Sequence, residues 1–138
     1  MRLPSRRDYK KLSMSYQLTT RAMPGYLHIT ITGENSVQNV TDYITKVGAL
    51  CDEQKMSVVL IEENLQGQGL NMFDIFKVIR GLHRMPKILK WIAYVDTNPE
   101  HDSTMMDFAR ELAVRRGLRV HICRTVGEAE EWAKIWAK

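Results

Sequence analysis

The sequence predicts an α/β domain with a five-stranded, mostly parallel sheet led by an antiparallel hairpin, in the order ββαβαβαβα. Two alternating β-type runs flank a Pro-Gly turn near the start, and from there short apolar runs alternate with segments of helical period. The chain has 138 residues, 44% of them apolar and 26% charged, which suits one ordinary domain with a core of its own.

The first run, Ser15–Arg21, alternates Tyr16, Leu18 and Thr20, and Met23-Pro24-Gly25 makes a turn. Tyr26–Thr32 then alternates again, with Leu27, Ile29 and Ile31 on one face and His28, Thr30 and Thr32 on the other. Ser36 caps a helix in which Val40, Ile44, Val47 and Cys51 recur at helical spacing to about Gln54. Ser57–Ile61 is short and continuously apolar, as a strand buried on both faces should be. The stretch 64–69 is expected to be a loop, and Asn71–His83 a second helix closed by Pro86. Ile88–Val95 is the next strand. Thr97 and Glu100 fit a capping box for a third helix, with Pro99 in its first turn and Gly117 at its end. Leu118–Cys123 is the last strand. Thr125 and Glu128 open a final helix carrying Ala129, Trp132, Ala133 and Trp136 on one face. Residues 1–14 are expected to form a basic arm ahead of a single domain over 15–138.

The net charge is +4, and the excess lies in the first 24 residues, where Arg2, Arg6, Arg7, Lys10, Lys11 and Arg21 face Asp8 alone. The plainer reading is a solubilising tail. Neither stacking aromatics at RNA-binding spacing nor a zinc-finger pattern points to nucleic acid. No apolar run spans a bilayer, and the basic start lacks the apolar stretch of a signal peptide. Cys51 and Cys123 lie far apart without a CxxC spacing, so they read as buried thiols in a reducing compartment. A cytoplasmic protein is expected.

The strand Lys90–Val95 and the ending Leu118–Trp132, with its strand, Thr cap and Glu-Ala-x-x-Trp helix, resemble the SpoIIAA-like family of STAS-type domains. That family is related more distantly to CRAL-TRIO lipid-transfer domains. The resemblance implies a binding or regulatory module without catalysis or cofactor. The family's phosphorylatable Ser follows the central strand. The matching stretch here, Glu62–Asp74, contains no Ser, Thr or Tyr, so a phosphoswitch at that place is excluded. Binding a regulatory protein partner without the switch is the alternative that remains.

Few constellations carry chemistry. Glu34, Glu62, Glu63, Asp96 and Arg124 should gather at the carboxyl ends of the strands, where such sheets bind ligands. The expectation is solvated loop carboxylates and no metal, since a receiver-type Mg²⁺ site needs a Lys where Arg124 stands. An enzyme built on that cluster is the remotest reading. Gly67-Gln68-Gly69 lacks both the dinucleotide fingerprint and the P-loop Gly-Lys-Ser/Thr, and reads as a turn. The four histidines fall on separate elements, and no G-x-S-x-G elbow occurs.

The second and third helices are the most informative surface. Met72, Phe73, Phe76 and Ile79 of the second, with Met105, Phe108 and Leu112 of the third, are expected to line a pocket for an apolar or amphipathic small ligand. Lys77, Arg80, Arg84 and Lys87 form a basic stripe suited to peripheral contact with an anionic surface. Strands in sequential order would crowd these helices onto one sheet face. Trp91 or Tyr94 on the other face would then need cover from the N-terminal arm or from a second copy in a homodimer.

Overall fold

Two alternating strands joined by Pro24-Gly25 begin the fold. In the computed structural model, which describes residues 16–81, 85–101 and 103–137, they are β1 (Tyr16–Met23) and β2 (Tyr26–Glu34). Gly25 has φ +85°, a value that suits glycine at the second corner of the turn. A Cβ there would also stand 2.7 Å from that of Ala137. The remaining elements are α1 (Val37–Gln54), β3 (Val58–Gln66), α2 (Met72–Arg80), β4 (Trp91–Asp96), α3 (Ser103–Arg115), β5 (Arg119–Cys123) and α4 (Val126–Trp136). The basic arm of residues 1–14 lies outside the described residues.

The five strands lie side by side in chain order. β1 pairs antiparallel with β2, and the other pairs are parallel. The α/β architecture is therefore the one the sequence predicts. Local signals explain most helix ends: Ser36 caps α1 through its hydroxyl, Thr125 caps α4, and Gly117 takes φ +89° just beyond α3.

Two stretches differ from expectation. β3 does not stop at Ile61 but continues to Gln66, so Glu62 and Glu63 belong to a strand, and the loop expected over 64–69 begins only at Gly67. Register explains the extension, because β2 pairs with β3 as far as Glu34 and Gln66. The Thr97/Glu100 capping box does not form, and α3 starts at Ser103. Asn98 organises a turn there instead. Its backbone N–H donates to Asp96 Oδ1 at 2.9 Å, its Oδ1 accepts from the Glu100 N–H at 3.0 Å, and its amide donates to the Leu65 carbonyl at 2.8 Å.

The sheet buries two separate layers. Leu27, Ile29, Ile31, Val59, Ile61, Ile92 and Tyr94 face α1, α2 and α3, whereas Tyr26, Val58, Leu60, Ala93, Val95 and Cys123 face α4. Trp91 lies on the α4 side and Tyr94 among the residues that face α1–α3, so of the two only Trp91 is on the face expected to need cover. Neither the arm nor a second copy is needed there, because α4 supplies the cover. Ala129 and Ala133 bring its backbone down onto β3 and β4, and Trp136 stacks on Trp91 at 4.8 Å between ring centroids. Both alanines are completely buried, with no room to grow. We expect Ala133→Leu to cost about 1–3 kcal/mol, read as a lower urea midpoint. An unchanged midpoint would mean that α4 does not seat here.

Candidate functional site

Alternation along β3 sends Val59, Ile61, Glu63 and Leu65 to the face that α1–α3 cover. The third of these is a carboxylate, and it is 5% exposed. Its register partner on β4 is Asp96, and Tyr94 lies two residues back on the same face. Tyr43 reaches the same point from α1 and donates its hydroxyl to Glu63 Oε2. Tyr94 hydrogen-bonds the same carboxyl. The Asn98 turn folds His101 back over the strand end. There its Nδ1 lies 2.6 Å from Asp96 Oδ2 and its Nε2 lies 3.0 Å from the Gly67 carbonyl.

Glu63 and Asp96 are thus not the solvated loop carboxylates expected from sequence. Burial raises the Glu63 carboxyl above its ordinary value, and its phenol partners offset this only in part. Tyr43 and Tyr94 are raised well above theirs by burial and by the neighbouring carboxylate. Burial pulls His101 down, but the hydrogen bonds to Asp96 and to Gly67 outweigh it and leave the imidazole raised.

This polar group lines one end of a cleft of about 380 Å³ between α1, α2, α3 and the sheet. Apolar side chains line the rest: Val40 and Ile44 of α1, Ile75, Val78 and Ile79 of α2, Met105, Met106 and Ala109 of α3, and Ile61, Ile92, Val120 and Ile122 of the sheet. Gln68, Gly69, Glu100 and Arg110 are its exposed lining residues.

Of the residues singled out from sequence, Ile79 and Met105 line the cleft. Phe108 and Leu112 pack partly buried against the core. Met72, Phe73 and Phe76 point outward, 54%, 79% and 48% exposed. On a helix of 3.6 residues per turn they share one arc with Lys77 and Arg80, opposite the buried Ile75, Val78 and Ile79. Lys87 is also exposed, and Arg84 lies outside the described residues. Sequence reasoning missed Tyr43, Glu63, Tyr94, Asp96 and His101 as a group. The available signal was alternation carried past Ile61, which places Glu63 on the covered face.

Among the described residues two groups could hold a metal ion: Glu63 with Asp96 and His101, and His121 with Cys123 and Glu128. Their contacts argue otherwise. In the first, Asp96 and His101 already satisfy each other and Glu63 is held by phenols. In the second, burial followed by the Glu128 charge pushes the Cys123 thiol up to about 11, and Glu128 accepts from the Arg124 N–H. The turn at Gly67 likewise makes no phosphate cradle, because Asn71 and Asp74 close a capping box on the α2 terminus.

The raised Glu63 value means that the folded chain keeps this proton to higher pH than the unfolded chain does. Its contribution to stability is full below the ordinary 4.5 and is lost as pH rises through the folded value. His101 has the same sign, its contribution being full below the ordinary 6.5 and lost through the raised value. We expect the thermal midpoint to fall as pH rises above about 4.5, and Glu63→Gln to flatten the acidic part of that slope. An identical slope in the variant would contradict the assignment.

No family model matches the chain, and no curated protein matches it. Among solved structures it is similar to an uncharacterised protein of the DUF3478 family from Shewanella loihica PV-4, described as having a SpoIIAA-like fold. The TM-score is 0.53 at 10% identity, over 86% of this chain and 94% of that one. The sequential five-stranded sheet, the leading hairpin and the α4 cover together give this chain a SpoIIAA-like fold.

Proposed function

We propose that the protein is a non-enzymatic binding module that holds an apolar or amphipathic small molecule in the cleft between the sheet and α1–α3. The observation that carries this reading is the cleft itself. Its volume of about 380 Å³ lies in the range of small-molecule sites, and its walls are apolar with a few polar groups converging at one end. Solid cores do not keep such space, because close packing is the default of protein interiors. The expected pocket between the second and third helices is thereby redrawn, since α1 and the sheet contribute as much of the wall.

Native mass spectrometry of the protein purified from its own cells without detergent tests the reading. Excess mass that disappears on denaturation is expected. Ala109 lines the cleft, and Ala109→Trp should remove that excess while leaving the far-ultraviolet circular dichroism unchanged. A clean mass for the unsubstituted chain would count against a stored ligand.

A second reading rests on the outward arc of α2. Large apolar side chains beside Lys77 and Arg80 suit a helix lying in an anionic membrane interface, where the cleft would exchange its ligand. The chain should float with vesicles containing phosphatidylglycerol, and Phe73→Ser with Phe76→Ser should abolish flotation. Equal flotation with phosphatidylcholine alone would remove the role of charge. No flotation at all would favour a regulatory protein partner on this arc.

A further inference from the structure

His101 stands where two connections meet. It belongs to the turn between β4 and α3, and its side chain is only 7% exposed. Across from it runs the loop between β3 and α2, residues 67–70, of which Gln68, Gly69 and Leu70 line the cleft. A Cβ at Gly69 would stand 3.9 Å from His101 Cδ2, so the loop passes against the ring. Among the described residues two side chains tie down the backbone of this loop. Asn35 donates to the Gln68 carbonyl at 3.1 Å, and His101 Nε2 lies 3.0 Å from the Gly67 carbonyl. Gly67 itself can serve as a hinge, with φ +100° and open space where a Cβ would be.

The Nε2 atom has two neighbours of opposite character. The Gly67 carbonyl can only accept a hydrogen bond, whereas the Asn98 amide nitrogen, 3.3 Å away, can only donate one. Nδ1 has no such choice, because Asp96 Oδ2 at 2.6 Å keeps a proton on it. The charge state of the ring is therefore settled at Nε2. There the imidazolium donates to Gly67. The neutral ring turns a lone pair towards the carbonyl oxygen, which repels it, and accepts from Asn98 instead. Asn98 gives one amide hydrogen to the Leu65 carbonyl, and its second is left for Nε2. The ring keeps its place in both states, and the loop alone gains or loses an anchor.

Among the described residues the charged groups that face the ring are Asp96 from β4 and Glu63 from β3, with Tyr43 of α1 and Tyr94 of β4 bonded to Glu63. Glu100 of the same turn and Arg110 of α3 share the lining of the cleft, and residues 67–70 carry no titratable side chain. Burial opposes the charged ring, but the bonds to Asp96 and to Gly67 outweigh it, and the imidazolium persists above the ordinary 6.5. The anchor is thus full below 6.5 and is lost as pH rises through the raised value.

We propose that His101 is a proton-controlled latch on the rim of the cleft: as imidazolium it ties the 67–70 loop to the β4–α3 turn, and on losing the Nε2 proton it lets that loop swing about Gly67. The ligand traffic that the latch controls rests on the reading of the cleft as a ligand site, but the movement of the loop does not.

Two measurements test it. Nuclear magnetic resonance of the unsubstituted chain from about pH 5.5 to pH 8.5 follows the His101 imidazole and the backbone order parameters of residues 67–70. The order parameters should fall from about 0.85 towards about 0.6 with the midpoint of the imidazole titration. A loop whose order does not change, or changes with a different midpoint, would overturn the latch. Stopped-flow fluorescence then follows entry of N-phenyl-1-naphthylamine, which stays neutral over this range, so that pH acts on the protein alone. Its entry rate should rise by about fivefold or more along the same titration. His101→Gln keeps an N–H donor at every pH and should hold the slow rate throughout, whereas His101→Ala has none and should give the fast rate throughout. A pH dependence that survives in His101→Gln would assign the control to Glu63 or another group and overturn the proposal. Entry at a constant rate while the loop loosens would also overturn the gating. A dye that does not bind at all would count against the cleft as a ligand site, while the order parameters still decide the latch. If His101→Ala fails to fold, as read by far-ultraviolet circular dichroism, the titration of the unsubstituted chain decides by itself.

Discussion

Right-handed connection between parallel strands is the constraint on which this architecture turns. With β2 to β5 in chain order, each crossover must return on the same side, and α1, α2 and α3 all fall on one face. The other face receives only the helix that follows the last strand. α4 meets this with two alanines that let it lie close and with tryptophans that spread the contact sideways. The three-helix side has the opposite problem. α2 has only nine residues and sits over a wide sheet, and the space that it and its neighbours fail to fill is the cleft.

A carboxylate inside that layer changes the energetics of the fold. Removing one partner of a buried polar group leaves the other exposed to the full cost of lost hydration, on the order of 1–3 kcal/mol. Here Glu63 is held from two directions, by Tyr43 on a helix and Tyr94 on the neighbouring strand, so its position is determined by elements distant in sequence. His101 is held as firmly, at 2.6 Å from Asp96, by a turn that Asn98 ties to the end of β3. A constellation fixed this way has little freedom to rearrange.

Most of the architecture was legible in the sequence because each element carries its own local signal. Alternation around Pro24-Gly25, the Ser36 and Thr125 caps and Gly117 need no knowledge of the rest of the chain. The site was not legible, for the converse reason. Glu62-Glu63 looks like the polar end of a strand until the pairing of β2 with β3 carries the ladder on to Gln66. Thr97 and Glu100 satisfy a capping pattern, but Asn98 has a buried carbonyl to reach on β3, and that tertiary contact wins. Phe73 and Phe76 were grouped with the pocket because their residue type suits one. Helical phase, which depends on where α2 meets the sheet, turns them outward.

The aromatic side chains are sorted by layer. All three tryptophans, Trp91, Trp132 and Trp136, belong to the α4 side, with His121 packed against Trp132 at 4.4 Å and Arg119 over Trp91 at 4.5 Å. The cleft on the opposite side is bordered by tyrosines alone among the aromatic residues, Tyr43 and Tyr94. Intrinsic emission excited at the red edge of the indole band therefore reports the seating of α4 and is blind to the opposite layer. The two halves of the molecule can be followed by separate optical channels without attaching a label.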